Sequence, residues 1–215
     1  MNAQECIAVV EEVLLSLPYI RQNFSVRLSP ERSPGGAGAG GSVYLPPLLI
    51  NCRDSREVPA YGVEEIPVDN LGSSSQVSAM GYFQGGEGAA GGGSIHLLVD
   101  RLQSPQQAGS LLRHELVHAM DHAIHGLDMG TCAGLACSEV RASAAGECAG
   151  MWPEFRRSLC IRGAAATSTS MVFPQQGRLC AGAMLPACIR LDALTSPVPA
   201  VQHALSQEQG RGDSS

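Results

Sequence analysis

His114-Glu115-Leu116-Val117-His118 sets two imidazoles and a carboxylate in the spacing H-E-x-x-H. On a helix, residues four apart stand one turn apart on one face, so His114 and His118 can reach the same metal ion. Glu115 is rotated about 100° from His114, near enough to face a water on that metal. A zinc ion lowers the pKa of such a water to about 7, and a carboxylate can take its proton during attack on a peptide carbonyl. A motif this short recurs by chance, and the bland alternative is a polar helix with an incidental histidine pair. The surrounding elements decide between the two.

Leu111, Leu112, Leu116, Val117, Ala119, Met120 and Ala123 make the motif part of a partly apolar helix. Ser110 as N-cap and Gly126 as the C′ residue predict a helix over 110–125. Upstream, 94–99 reads as a strand. Zinc proteases with H-E-x-x-H place such a strand beside the motif helix, and substrate adds to its edge in extended form.

A catalytic zinc needs three protein ligands and a water. His122 and His125 extend the stripe, but on a straight helix they lie about 12 and 16 Å along the axis from His114, out of reach of its metal. A Gly six residues after the first histidine would break the helix; that position is Met120. His122 and His125 therefore read as supporting or surface residues. The stretch 134–149 predicts a second helix. The connection 126–133 is short and holds two Gly, so the two helices should be antiparallel neighbours. Ala136, Ser143 and Ala144 would let them approach closely. A turn centred near 128–129 puts Glu139 opposite His118 and makes it the expected third ligand. Asp128 is the runner-up, or else orients a ligand histidine. The alternative for Glu139 is an ion pair with Arg113 or Arg141.

The run His114-Glu-Leu-Val-His-Ala-Met-Asp-His, then Leu127-Asp128, Leu135-Ala-Cys-Ser-Glu-Val-Arg-Ala142 and Gly146-Glu-Cys148 resembles the mitochondrial inner-membrane metalloprotease family that assists ATP synthase assembly. That family's pattern is close to H-E-L-I-H-x-x-D, V-D-W, A-C-S-E-[IV]-R-A and S-G-[ED]-C. The match is tight over 114–148 and loose over about 6–190, through Cys6, Pro18-Tyr19-Ile20, Gly81-Tyr82-Phe83, Cys160-Ile161-Arg162 and Cys188. The i, i+4 histidines on a capped helix beside a strand predict one zinc per chain, and the resemblance implies His114 and His118 as its ligands and Glu115 as the catalytic carboxylate. It implies a peptide or protein substrate, the precursor of a membrane-sector subunit of ATP synthase, and a chaperone-like assembly role for which proteolysis can be dispensable. It places the chain in the mitochondrial intermembrane space, peripheral to the inner membrane, where cysteines are oxidised.

The chain also departs from that pattern. Met129 replaces the Trp after Val-Asp, and Gly163-Ala164-Ala165 replaces a basic run. The family's C-x-x-C stands here as Cys52-Arg53-Asp54-Ser55, and the Cys ending the strand before the motif helix is Val99. If Ser55 and Val99 replace the partners of one disulfide, their joint change is self-consistent.

Composition limits the alternatives. The net charge of −6 argues against a nucleic-acid partner. All basic residues are Arg, which reads as genomic base bias. The eight Cys have no zinc-finger spacing; in an oxidising compartment they predict disulfides. Residues 1–20 carry Glu5, Glu11 and Glu12 and no Arg, unlike a transit peptide, and they lack the basic start of a secretory signal. That weakens a third reading, a secreted zinc peptidase. No run of 18 apolar residues exists; 43–50 is short and broken by Pro46-Pro47.

The expected fold is α+β and zincin-like: one domain over 1–215, with a small antiparallel or mixed sheet beside the motif helix and a second antiparallel helix. An amphipathic helix over 4–17, with Ile7, Val10, Leu14 and Leu17 on one stripe, and helices over 151–162 and 181–194 complete it. Segments 29–42, 84–93 and 204–215 read as flexible, 84–93 as a hairpin insertion rather than a phosphate loop.

Overall fold

The computed structural model describes residues 1–29, 45–56, 80–86, 92–189 and Leu194. The expected loop at 29–42 lies almost wholly outside the described residues, as do the centre of 84–93 and all of 204–215. The architecture is α+β. Helices α1 (Ala3–Ser16) and α2 (Pro18–Asn23) precede strands β1 (Ser25–Ser29), β2 (Pro47–Arg53), β3 (Gly81–Gln84) and β4 (Gly93–Leu98). Helices α3 (Pro105–Ala123), α4 (Cys132–Ala145), α5 (Glu154–Val172) and α6 (Gly177–Cys188) follow. The sheet order is β1-β2-β4-β3. β1, β2 and β4 run parallel, and β3 is antiparallel to β4, with Tyr82 opposite His96. No described helix is long and apolar enough to cross a membrane.

Two cores divide the molecule. The first joins α1, one face of the sheet and α3 through Val10, Val13, Ile50, Ile95, Leu112 and Leu116. The second joins α4, α5 and α6 through Cys137, Val140, Ile161, Ala165, Ala181 and Met184. The motif helix thus belongs to the first core, while α4 lies mainly in the second and reaches the first through Ala142. All eight cysteines pair, as Cys6–Cys52, Cys132–Cys180, Cys137–Cys188 and Cys148–Cys160. Ser55 bonds Asp100 through its N–H and hydroxyl at 2.7 and 2.6 Å, so the segments holding Ser55 and Val99 are neighbours.

Several boundaries differ from expectation. The motif helix starts six residues earlier: Ser104, not Ser110, accepts the capping bond, from the N–H of Gln107, and Pro105 takes the first turn. The apolar stripe understates the helix because its first turn, Pro-Gln-Gln, carries no core residue. The helix ends earlier than expected, with Ile124 as C-cap, so Gly126, at φ +60, stands at C″ rather than C′. The strand at 94–99 is not an edge. It is β4, enclosed by β2 and β3, and the edge beside the motif helix is β3. In α1 the buried stripe is Cys6, Val10, Val13 and Leu14, with Ile7 and Leu17 only partly covered. α5 runs ten residues past Arg162. Its Ser/Thr-rich end stays helical because Ile161, Ala165 and Thr169 pack inward, while Thr167 and Ser170 hydroxyls bond carbonyls four residues back.

Candidate metal centre

The antiparallel pairing of α3 and α4 builds the site. Gly146 lies so close to α3 that an added Cβ would sit 2.9 Å from both the His114 Cβ and the Ser110 carbonyl oxygen. At the other end Thr131 caps α4 by accepting from the N–H of Gly134. Between these points Ser138 and Glu139 face His118. Glu139 Oε2 stands 3.6 Å from His114 Nε2, and its Oε1 stands 3.6 Å from His118 Nε2. The two Nε2 atoms are 3.1 Å apart. Tetrahedral ligands about 2.05 Å from zinc would be about 3.3 Å from one another, so these separations suit one ion.

The remaining partners point the same way. Glu147 accepts from His114 Nδ1 at 3.0 Å, and His118 Nδ1 bonds the Ser138 hydroxyl at 2.8 Å. The Glu147 bond holds a proton on His114 Nδ1, so in the neutral ring the His114 Nε2 lone pair faces His118 Nε2; where the Ser138 hydroxyl accepts from His118 Nδ1, two lone pairs face each other. That arrangement is unfavourable unless a cation or a proton lies between them. Glu139 Oε2 is buried and has no hydrogen-bond partner. Two imidazoles and a carboxylate are a donor set suited to zinc.

Burial and charge set the protonation of the cluster in the metal-free chain. Burial opposes a charge on His114, but the Glu147 hydrogen bond and the Glu115, Glu147 and Glu139 carboxylates outweigh it and lift its pKa to about 9. Burial, then the His114 charge, holds His118 well below the usual imidazole range. Burial pushes Glu115 up to about 7, against His114 and a backbone N–H from Phe83. Burial also raises Glu139, against His114 and the Ser168 hydroxyl. Glu147 is desolvated too, yet the His114 bond and charge, with Ser143, take it down to about 2.

The structure brings together His114, Glu115, His118 and Glu139. It does not bring Asp128, which is exposed and accepts from the N–H of Gly130 at 3.0 Å, organising the turn. Neither does Asp128 orient a ligand histidine; Glu147 and Ser138 do. The ion pairs considered for Glu139 are not formed: Arg113 bonds the Gly109 carbonyl and Arg141 bonds Asp121. His122 packs against Phe83 rather than joining His114, His118 and Glu139. His125 is not at the surface; it is buried and bonded to Asp121 at 2.9 Å. Sequence reasoning missed Glu147 and Ser138. Their signal was adjacency: Ser138 precedes Glu139, and Glu147 follows the Gly146 that closes α4 onto α3.

His-x-x-x-His on one helix, a Glu on the next and a second carboxylate beside them define a site of metallopeptidase type. A family model described as the Peptidase M76 family matches residues 71–178, half of the chain, and the chain belongs to that family. No curated protein and no solved structure matches it significantly.

Proposed function

We propose that the chain is a zinc-dependent endopeptidase with one zinc per chain. Its zinc is held by His114, His118 and Glu139, and Glu115 is the general base. The convergence of these three donor groups carries the reading. Bound there, zinc would supply Lewis acidity and a water acidic enough to be deprotonated near neutral pH. Glu115, buried and raised to about 7, is suited to exchange a proton at that pH.

Substrate adds to the edge of β3. Among the described residues β3 has an open side. The bond from Leu98 N–H to the Met80 carbonyl puts residues 80, 82 and 84 in the β4-facing set, so Gly81 and Phe83 turn their backbone groups outward. The Phe83 N–H already donates to Glu115, so an extended peptide paired along β3 through the Gly81 groups and the Phe83 carbonyl would pass the general base.

The substrate class is a precursor of a membrane-sector subunit of ATP synthase, and the location is the intermembrane space, peripheral to the inner membrane. The resemblance over 114–148 supports both, and four disulfides suit an oxidising compartment. A second reading is an assembly chaperone for which cleavage is dispensable. One experiment separates them: zinc content, precursor cleavage and ATP synthase assembly, measured for wild type, Glu115→Gln and His118→Ala. The peptidase reading expects Glu115→Gln to keep zinc and lose cleavage by at least about 10²-fold. Its assembly function is lost as well if proteolysis is the working activity, and kept if the chaperone role is. A His118→Ala chain with full zinc sinks the site.

A further inference from the structure

No disulfide ties together the two helices that carry the site. α4 is bound to α6 by two disulfides, but α3 contains no cysteine. Beside Glu139 and Arg141, the residues that α4 and its C-cap pack against α3 are small: Ser138, Ala142 and Gly146. Such small side chains permit close approach but interdigitate weakly, so they resist rotation of one helix on the other only weakly. Rotation matters here. Turning α4 by about 20° would move a carboxylate about 6 Å from its axis by about 2 Å, as long as the bond it must make to zinc.

One turn from the ligands, three buried polar residues bridge the same helices. Asp121 lies three residues after His118, and Arg141 two after Glu139. Arg141 Nη1 bonds Asp121 Oδ1, and His125 Nδ1 donates to the same oxygen at 2.9 Å. Side chains of both charged partners are fully buried. A buried ion pair adds little net stability over an apolar contact of similar volume, because desolvating both charges offsets their attraction. What it adds is direction: Arg141 Nη1, Asp121 Oδ1 and His125 Nδ1 converge on one point, with Nη1 3.1 Å from Nδ1, and few rotations of α4 on α3 keep all three in contact.

We propose that the Asp121–Arg141 pair, braced by His125, is a positioning unit. It sets the rotation of α4 on α3 and so holds Glu139 against His114 and His118. This rests on the reading of those three residues as metal ligands.

The test uses the full chain with its disulfides formed. Asp121→Asn combined with Arg141→Met removes both charges, keeps an acceptor for His125 and keeps most of the arginine stem. Three quantities are read: the metal-free thermal midpoint, the zinc dissociation constant by chelator competition, and the visible spectrum with Co²⁺. The expected result is a folded chain with a near-wild-type midpoint, zinc binding weakened by at least about 10-fold and shifted Co²⁺ bands. Wild-type zinc affinity and Co²⁺ spectrum in that folded variant overturn the positioning role alone. If the double variant does not fold, Arg141→Lys is read in the same way, since it keeps the charge but loses the fixed direction of the planar guanidinium. Wild-type affinity there is equally fatal. A wild-type chain that takes up neither ion overturns both this role and the metal-site reading.

Discussion

Glu147 accepts a hydrogen bond from the Nδ1 of His114 at 3.0 Å, although 33 residues separate them. A carboxylate can only accept, so the bond fixes the proton on Nδ1 and leaves Nε2 facing His118 and Glu139. Glu147→Gln keeps a bond of similar length but removes the charge. It should lower zinc affinity by about 10- to 100-fold, the usual effect of changing a group that orients a metal-binding histidine. Chelator competition measures this. Unchanged affinity would show that the pair is only a surface contact.

Zinc uptake by the metal-free chain should depend on pH through the same pair. His114 has its pKa raised to about 9, so it stays protonated through neutral pH, and a metal must displace that proton. Affinity should therefore rise about tenfold per pH unit up to about pH 9 and level off above it. Glu147→Gln removes the nearest counter-charge and should move the levelling point to lower pH. Titration of zinc binding at a series of pH values checks both the sign and the shift.

The third ligand can be assigned by a paired comparison. Glu139→Ala removes the only carboxylate that the described structure places against both Nε2 atoms, and it should strip most zinc from the purified chain. Asp128→Ala removes an acceptor for one loop N–H and should cost at most about 1 kcal/mol of stability, leaving metal content near one per chain. Metal analysis of the two variants decides. Equal loss in both would mean that the turn, rather than the ligand, controls binding.

Edge pairing can be tested on the substrate, because the Phe83 N–H already donates to Glu115. Only alternate amides of an extended peptide can face β3, so N-methylating a peptide substrate at successive positions should slow cleavage at alternate positions, with the zinc content of the chain unchanged. Equal rates for all the N-methylated peptides would place the substrate elsewhere.

The placement of His114, Glu115 and His118 was legible in the order of the residues, because one helix supplies all three, and spacing along a helix converts directly into direction. The short turn with two Gly likewise made Glu139 readable, since helix pitch carries a residue count into a position opposite His118. Local signals did less well at boundaries. Ser110 was as good a cap as Ser104 until Pro105 and the Gln107 N–H were seen in place. The edge strand was misplaced because periodicity reports that 94–99 is a strand but not which strands flank it; β3 covers one side and β2, from 40 residues earlier, the other. Tertiary structure alone decided the contacts of Glu147, Ser138, Asp121, His125 and Arg141. Each acts across the α3–α4 contact, where distance depends on how close two helices lie and how each is rotated. Small residues such as Gly146 make that approach possible, and no spacing within either helix encodes its angle.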